Sequence, residues 1–322
     1  MLNFPAFCVL SYISISYVAV IYASSKDARQ YPVLGRDDPA VIKRRIRKVL
    51  MLTAFNIVLV PFLQCLIKNL RDSTDSSISV IGAIMNLGIV PGHYRDGHWD
   101  ISSYYYDIIS GIWVVTLLYV GPLMDLFLFY VFTKGKTLYV DYKDEFSNIY
   151  CLRNYIFAPI TEEIFYTSML LNTYLMLCPI ESLSLKTLLW QPSLFFGLAH
   201  IHHAYGSFRT GDQNLITILM NTIIQFGYTT LFGAFTNFIF LRTGGNLWAC
   251  MFAHSFCNIM GFPGRSRLSL HFTMIEEVKG DWRRKLIAAW NKSYIFLLFL
   301  GIYLFKANID TLIYSREYSI DV

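Results

Sequence analysis

Long apolar segments recur along the whole chain, and they constrain its fold more than any other feature. The first, FPAFCVLSYISISYVAVIYA at residues 4–23, contains no acidic or basic residue. A helix needs about 20 consecutive apolar residues to cross the hydrocarbon core of a bilayer. Only 15% of the residues are charged, whereas about 25% are charged in an average soluble domain. The sequence therefore predicts a membrane protein, and this first segment predicts a retained transmembrane helix.

Further segments of this kind predict an all-α, polytopic integral membrane protein with about eight transmembrane helices in one structural domain. They lie at about residues 49–68, 107–132, 153–177, 187–205, 214–241, 246–262 and 291–313. A weaker apolar stretch at 78–92 is short and interrupted by glycine, so we expect it to be interfacial or re-entrant. Turn-forming residues predict polar loops at 92–100 and 261–272.

A basic stretch after the first segment indicates how the chain is oriented in the membrane. Residues 26–48 carry eight Lys or Arg residues against three acidic residues. Basic loops remain on the cytosolic side, so we expect this loop in the cytosol and the N-terminus on the opposite side. The net charge of +5 comes largely from connecting segments of this kind and not from one basic face, so no nucleic-acid binding is expected. The six cysteines form no C-x-x-C and are expected to be small buried side chains.

Polar side chains that are costly in lipid cluster in the second half of the chain. Glu162 and Glu163 lie in the fourth span, His200 ends the fifth, and His254 and Asn258 lie in the seventh. A carboxylate at the bilayer centre costs about 2.5–3.5 kcal/mol on insertion scales. These groups are least costly where they meet one another inside the protein. The pattern therefore predicts a polar catalytic cavity within the helix bundle.

The spacing of these residues narrows their roles. Adjacent residues on a helix point about 100° apart, so Glu162 and Glu163 cannot both face one reacting atom. We expect one of them to be chemical and the other to bond to a partner helix or a water. His254 and Asn258 are four residues apart and share a helix face, so both could donate to one oxygen. A carboxylate, an imidazole and a His/Asn pair suit amide hydrolysis by an activated water with a stabilised oxyanion.

Other interpretations of the same residues remain open at this level. The H-I-H-H run with His254 and Glu162 could bind zinc in a membrane protease, although no H-E-x-x-H is present. Ser168, Ser255 or Cys257 could be a nucleophile, although no G-x-S-x-G is present. A non-enzymatic transporter or scaffold would also carry intramembrane Glu and His, but the two halves show no matching broken helices.

Three stretches in this region together resemble the motifs of a known family. They read APITEEIFYTSML, PSLFFGLAHIHHAYG and RTGGNLWACMFAHSFCNIMGFPG. They are similar to the motifs of the type II CaaX prenyl endopeptidases, the eukaryotic branch of a wider family of intramembrane proteases and bacteriocin-protection proteins. The opening SYISISYV and the SRLSLHFT loop resemble the fungal members. The resemblance divides the chain into N-terminal transmembrane helices with the basic loop (1–149), a catalytic core (150–272), and a final loop and transmembrane helix (273–322).

The resemblance implies a role for each motif residue. Glu162 would be the general base that activates water, assisted by His200 at the end of an F-x-x-x-H element. His254 and Asn258 match an H-x-x-x-N element and would form the oxyanion hole that stabilises the transition state. Glu163 matches the second motif glutamate and would have a supporting role. No metal and no cofactor are implied.

One position departs from the pattern of the wider family, which usually reads E-E-x-x-x-R. The last position of this pattern is Thr167 in the present chain. The ion pair that an arginine would make is therefore absent or supplied by another residue.

The resemblance also implies the substrate and the location. The enzyme would remove the last three residues from proteins whose C-terminal cysteine carries a farnesyl or geranylgeranyl chain. Partners would be prenylated CaaX proteins such as Ras-like GTPases, lipidated peptide pheromone precursors, and the lipid bilayer itself. A prenyl chain partitions into the bilayer with about 0.8 kcal/mol per buried CH₂, so a cavity open to both lipid and cytosol suits such a tail. The implied location is the endoplasmic reticulum membrane.

Overall fold

The computed structural model confirms the all-α class that the apolar segments predict. The residues that it describes are 3–22, 37–71, 79–95, 98–132, 135, 137–179, 183–211, 213–261 and 281–312. Within these residues, the strands belong to one two-stranded antiparallel hairpin, β1 (His93–Arg95) and β2 (His98–Asp100). All other regular structure in this part of the chain is helical.

The described part of the chain contains twelve helices. They are α1 (Phe4–Tyr22), α2 (Pro39–Arg71), α3 (Val80–Met85), α4 (Ile101–Leu118), α5 (Val120–Phe132), α6 (Leu138–Phe146), α7 (149–177), α8 (Leu185–His200), α9 (His202–Thr210), α10 (Leu215–Arg242), α11 (Leu247–Met260) and α12 (Asp281–Leu312). Helix α7 is continuous but contains two π-helical segments, Leu152–Phe157 and Glu163–Met169. Such segments are frequent at functional sites, and the second one begins at a predicted site residue.

Several of these helices are suited to the membrane. Of the described helices, five are long and apolar enough to cross it: α1, α2, α4, α10 and the Arg284–Asp310 part of α12. Helix α11 and most of α5 are shorter apolar helices. The predicted span 107–132 is divided at Tyr119 into α4 and α5. The chain is therefore a multi-pass membrane protein, as the apolar segments predicted.

Two connecting regions differ from the sequence-based prediction. The polar loop predicted at 92–100 contains the β1–β2 hairpin, in which Tyr94 pairs with Trp99 and their rings lie 5.2 Å apart. Aromatic cross-strand pairs stabilise a hairpin, and the turn-forming residues alone do not predict this one. The cytosolic basic loop predicted at 26–48 is shorter than expected, because α2 begins at Pro39 and contains its last five basic residues. The side chain of Asp38 accepts a hydrogen bond from the backbone N–H of Ala40 at this helix start.

Other predicted loops fall partly outside the described residues. These are the first part of the basic stretch, 26–36, and the loop at 262–272 with its SRLSLHFT segment. In the weak segment at 78–92, the regular structure of the described residues 79–92 is the six-residue helix α3. At 1.5 Å per residue this helix is too short to cross a bilayer, in agreement with the prediction.

Helix α7 occupies the centre of the bundle. Every residue from 163 to 174 is buried, so the helix is enclosed on all sides in this part. It contacts α1, α2, α8, α10 and α11. The two glutamates of the first motif are therefore held on the most enclosed helix of the described structure.

The start of α11 is fixed by polar contacts to other parts of the chain. The Asn246 side chain caps the helix by accepting a hydrogen bond from the N–H of Ala249 at 3.0 Å. Its amide group donates to the carbonyl of Tyr104 at 2.9 Å. The indole N–H of Trp248 donates to the carbonyl of Ile89 at 3.0 Å. These contacts hold α11 against α4 and the chain after α3, and so determine where His254 lies.

Candidate active site

His254 of α11 lies between the two glutamates of α7. Its Nδ1 is 2.7 Å from Oε1 of Glu163, and its Nε2 is 3.8 Å from Oε2 of Glu162. The side chain of His254 is only 6% exposed. The structure therefore brings together three of the residues that the sequence predicted, from two separate motifs.

The two glutamates have different environments. The Glu163 side chain is 2% exposed, and both of its carboxylate oxygens accept hydrogen bonds, one from His254 and one from Thr167. The Glu162 side chain is 19% exposed and lines a cavity. The prediction that one glutamate bonds to a partner helix is confirmed by the contact between Glu163 and α11. Glu162 is the carboxylate that a bound molecule can reach.

The cavity has a volume of about 570 Å³ and lies between α1, α2, α7, α8 and α9. Its volume is within the range of about 300–1,000 Å³ that is usual for ligand sites. The walls combine apolar side chains with polar ones. The apolar side chains include Val18, Ile21, Ile42 and Val49, and the polar ones include Tyr17, Arg45, Arg153, Glu162 and His200. The predicted cavity within the helix bundle is therefore present and contains both Glu162 and His200.

His200 lies at the end of α8 with one ring nitrogen held by its own helix. Its Nδ1 is 2.9 Å from the carbonyl oxygen of Phe196, and the two rings contact edge to face with centroids 4.6 Å apart. Because a carbonyl only accepts, Nδ1 must carry the hydrogen in this contact. In the neutral ring Nε2 then has a lone pair, which can accept a hydrogen bond from a molecule in the cavity.

Asn258 lies one turn beyond His254 on α11, but its contact is with another part of α7. Its Nδ2 donates to the carbonyl of Asn154 at 2.9 Å, and Asn154 lines the cavity. Asn258 is exposed and is not among the described residues that line the cavity. The shared helix face of His254 and Asn258 thus does not bring their side chains to a common hydrogen-bond partner.

Two hydroxyl groups of the site were not predicted. Thr167 Oγ1 donates to Oε2 of Glu163 at 2.6 Å and lies 2.9 Å from Oγ1 of Thr236 on α10. The sequence marks Thr167 only as a departure from the family pattern, and it does not distinguish Thr236. The i,i+4 spacing from Glu163 to Thr167 is a signal that could have identified the first contact.

The residues of the alternative interpretations have other contacts. Nδ1 of His202 lies 2.5 Å from the carbonyl oxygen of Ala199, so this nitrogen is turned to the backbone. In the described part of the chain, no three His, Cys, Asp or Glu side chains are grouped so that they could hold a metal ion. The hydroxyl of Ser168 is buried and donates to the carbonyl of Leu87 at 2.7 Å. These contacts offer neither a zinc ligand set nor an accessible serine at position 168.

Comparison with known proteins identifies the family. A family model described as Type II CAAX prenyl endopeptidase Rce1-like matches residues 145–260. CAAX prenyl protease 2 of Saccharomyces cerevisiae is 47% identical over 322 residues, which cover 99% of both chains. The human protein of the same name is 31% identical over 253 residues, covering 77% of this chain and 68% of the human one. No solved structure matches at a significant level. The chain therefore belongs to the type II CaaX prenyl endopeptidase family.

Proposed function

We propose that this protein is an intramembrane endopeptidase of the endoplasmic reticulum that removes the C-terminal tripeptide from farnesylated or geranylgeranylated CaaX proteins. Family membership supports the substrate class, which would include Ras-like GTPases and lipidated pheromone precursors. The observation that carries the mechanism is the position of Glu162, which contacts the cavity on one side and His254 on the other. We further propose a glutamate-type mechanism that uses no metal.

In the proposed reaction, Glu162 is the general base. Its carboxylate takes a proton from a water molecule while the water oxygen attacks the carbonyl carbon of the prenylcysteine residue. The Nε2 lone pair of His200 accepts the second hydrogen of this water and orients it. The C–N bond then breaks, and the proton held by Glu162 moves to the leaving amine of the tripeptide. The products are a protein ending in prenylcysteine and a free tripeptide.

His254 is proposed to stabilise the oxyanion. Its Nδ1–H donates a hydrogen bond to Glu163, so the ring can also donate from Nε2 only when it is doubly protonated. The buried carboxylate of Glu163 balances the positive charge that such a ring carries. A charged donor in an enclosed site stabilises a developing oxyanion more than the neutral carbonyl of the substrate.

The walls of the cavity fit the two parts of such a substrate. The apolar residues of α1 and α2 offer a surface for an isoprenoid chain, whereas the polar residues near Glu162 and His200 can hold a peptide. An extended tripeptide is about 10 Å long, so its terminal carboxylate lies away from the reacting carbonyl. We propose that the prenyl chain and the tripeptide occupy different parts of the cavity.

Asn258→Ala is expected to lower kcat about 10- to 100-fold and to change KM less than about threefold. The side-chain amide has two hydrogens, of which one is donated to the carbonyl of Asn154. Asn258 lies outside the cavity lining in this structure, so we propose that its side chain turns toward the cavity when substrate binds and donates the second hydrogen to the oxyanion. A donor that acts in the transition state affects turnover and not binding. Steady-state cleavage of a farnesylated CaaX peptide measures both constants. Asn258→Asp, which keeps the size but replaces the donor with a carboxylate that repels an oxyanion, is expected to lose at least as much kcat. A rise in KM alone would mean that Asn258 is a binding residue.

A zinc chelator is expected to change the activity of the purified protein less than about twofold. The base in the proposed mechanism is a carboxylate, and the described histidines do not form a ligand set. The test is cleavage of a farnesylated CaaX peptide in detergent with and without 1,10-phenanthroline. Loss of activity that added zinc restores would establish the metalloprotease alternative. No cleavage by well-folded protein would favour the transporter or scaffold alternative.

A further inference from the structure

A chain of hydrogen bonds connects α10 to the candidate active site through α7. It starts at the hydroxyl of Thr236, continues through Thr167 and the carboxylate of Glu163, and ends at Nδ1 of His254. The distances along it are 2.9, 2.6 and 2.7 Å. All four residues are buried, with at most 5% of their surface exposed. No part of the proposed reaction uses the two threonines directly.

The direction of each hydrogen bond follows from the chemistry of the groups. An ionised carboxylate only accepts, so Thr167 must donate its one hydrogen to Glu163, and His254 must donate from Nδ1. The Thr167 oxygen can then only accept from Thr236. Thr236 also lies 3.2 Å from the carbonyl of Gly233, but the contact with Thr167 is shorter. Every member of the chain therefore has one defined orientation.

The fixed directions of these hydrogen bonds determine how the imidazole of His254 is oriented. With both oxygens of Glu163 engaged, the carboxylate cannot rotate without breaking a buried hydrogen bond, which is costly in an enclosed site. A fixed carboxylate keeps the hydrogen of His254 on Nδ1 and turns Nε2 toward Glu162, from which it is separated by 3.8 Å. The two hydroxyl groups thus determine the orientation of a ring that they do not touch.

We propose that Thr167 and Thr236 are positioning residues for His254, which they orient through Glu163. The inference rests on the proposed function, because it assigns the effect of the two hydroxyl groups to the oxyanion step. Their loss should slow the chemical step and leave substrate binding nearly intact.

The test is a set of valine and serine variants, compared by cleavage of a farnesylated CaaX peptide. Thr167→Val keeps the shape of the side chain but removes the hydroxyl, and it should lower kcat about 10- to 100-fold with KM changed less than about threefold. Thr167→Ser restores the hydroxyl and should remain within about threefold of wild type. Thr229→Val is the matched control, because Thr229 is a buried α10 residue whose hydroxyl, among the described residues, bonds to carbonyls of its own helix. It should keep wild-type activity.

A double variant separates positioning from general packing. If Thr167 acts only through Glu163, Thr167→Val should add less than about a twofold loss in a Glu163→Gln background, measured by single turnover with excess enzyme. A purely structural role would instead lower the rate by the same factor in both backgrounds, and this result would overturn the proposal. Wild-type kinetics in Thr167→Val would overturn it as well.

Two further outcomes test the positioning role of the threonines separately from the proposed function. If Thr167→Val does not accumulate as folded protein, Thr236→Val provides the test, with an expected loss in kcat of about 3- to 10-fold that also disappears in the Glu163→Gln background. An unchanged kcat in Thr236→Val would then overturn the inference. Absence of cleavage by folded wild-type protein would overturn the proposed function itself, and with it the assigned role of the two threonines.

Discussion

Glu162→Gln is expected to lower kcat about 10³-fold, while the protein remains folded and still binds a prenylated peptide. The amide has nearly the same size as the carboxylate but cannot accept a proton from water at neutral pH, and loss of a general base costs about 10²–10⁴ in rate. Since Glu162 lines the cavity and makes only a long contact to His254, its replacement leaves the contact between Glu163 and His254 in place. Single-turnover cleavage of a farnesylated CaaX peptide gives the rate, and competition with a non-cleavable analogue gives the affinity.

Two other glutamates serve as controls for this experiment. Glu145 is an exposed residue of α6 outside the cavity, so Glu145→Gln should keep activity within about twofold. Glu163→Gln should be impaired through the orientation of His254, but less than Glu162→Gln. If Glu163→Gln abolished cleavage while Glu162→Gln kept more than about a tenth of it, the general base would have to be reassigned to Glu163.

The fold class and the clustering of the candidate site residues could be predicted because both depend on the cost of burying groups in lipid. Apolar segments of sufficient length specify helices in a membrane, whatever their neighbours are. Intramembrane carboxylates and imidazoles must find polar partners, so the sequence predicted that the groups on α7, α8 and α11 would meet. The contacts of Glu162 and Glu163 with His254, and the cavity that also contains His200, agree with this expectation.

The exact partners could not be predicted, because they depend on how the helices pack and rotate. The i,i+4 spacing placed His254 and Asn258 on one face, but Asn258 bonds to the carbonyl of Asn154 across the helix interface. Thr236 reaches Thr167 only because α10 packs beside a π-helical segment of α7. A period of 3.6 residues does not describe such a segment, and nothing in the local sequence of α10 distinguishes Thr236 from its other threonines.

Gly88→Ala is expected to destabilise the protein by about 2–4 kcal/mol and to lower its melting temperature by roughly 5–10 °C. Gly88 follows α3 with a φ of +69°, a conformation that costs a residue with a side chain about 1–2 kcal/mol. A Cβ atom at this position would also lie 2.1 Å from the backbone oxygen of Gly245. This backbone atom cannot move aside like the end of a flexible side chain, so the two loops would have to separate.

Because Gly245 lies next to α11, Gly88→Ala is expected to disturb the candidate active site as well as to lower stability. Gly245 lies directly before Asn246, which caps α11, and a displacement there is transmitted to His254 through a rigid helix. The folded fraction of Gly88→Ala should therefore also have a lower kcat. Gly211→Ala is the matched control, because Gly211 has a φ of +70° but no atom of the described residues within 4 Å of an added Cβ. It should show only the backbone cost, about 1–2 kcal/mol, with normal turnover. Equal losses of stability in the two variants would show that the contact between Gly88 and Gly245 does not hold α11 in place. A larger loss in Gly88→Ala, accompanied by reduced turnover, would show that the position of His254 depends on this close approach of two backbone segments.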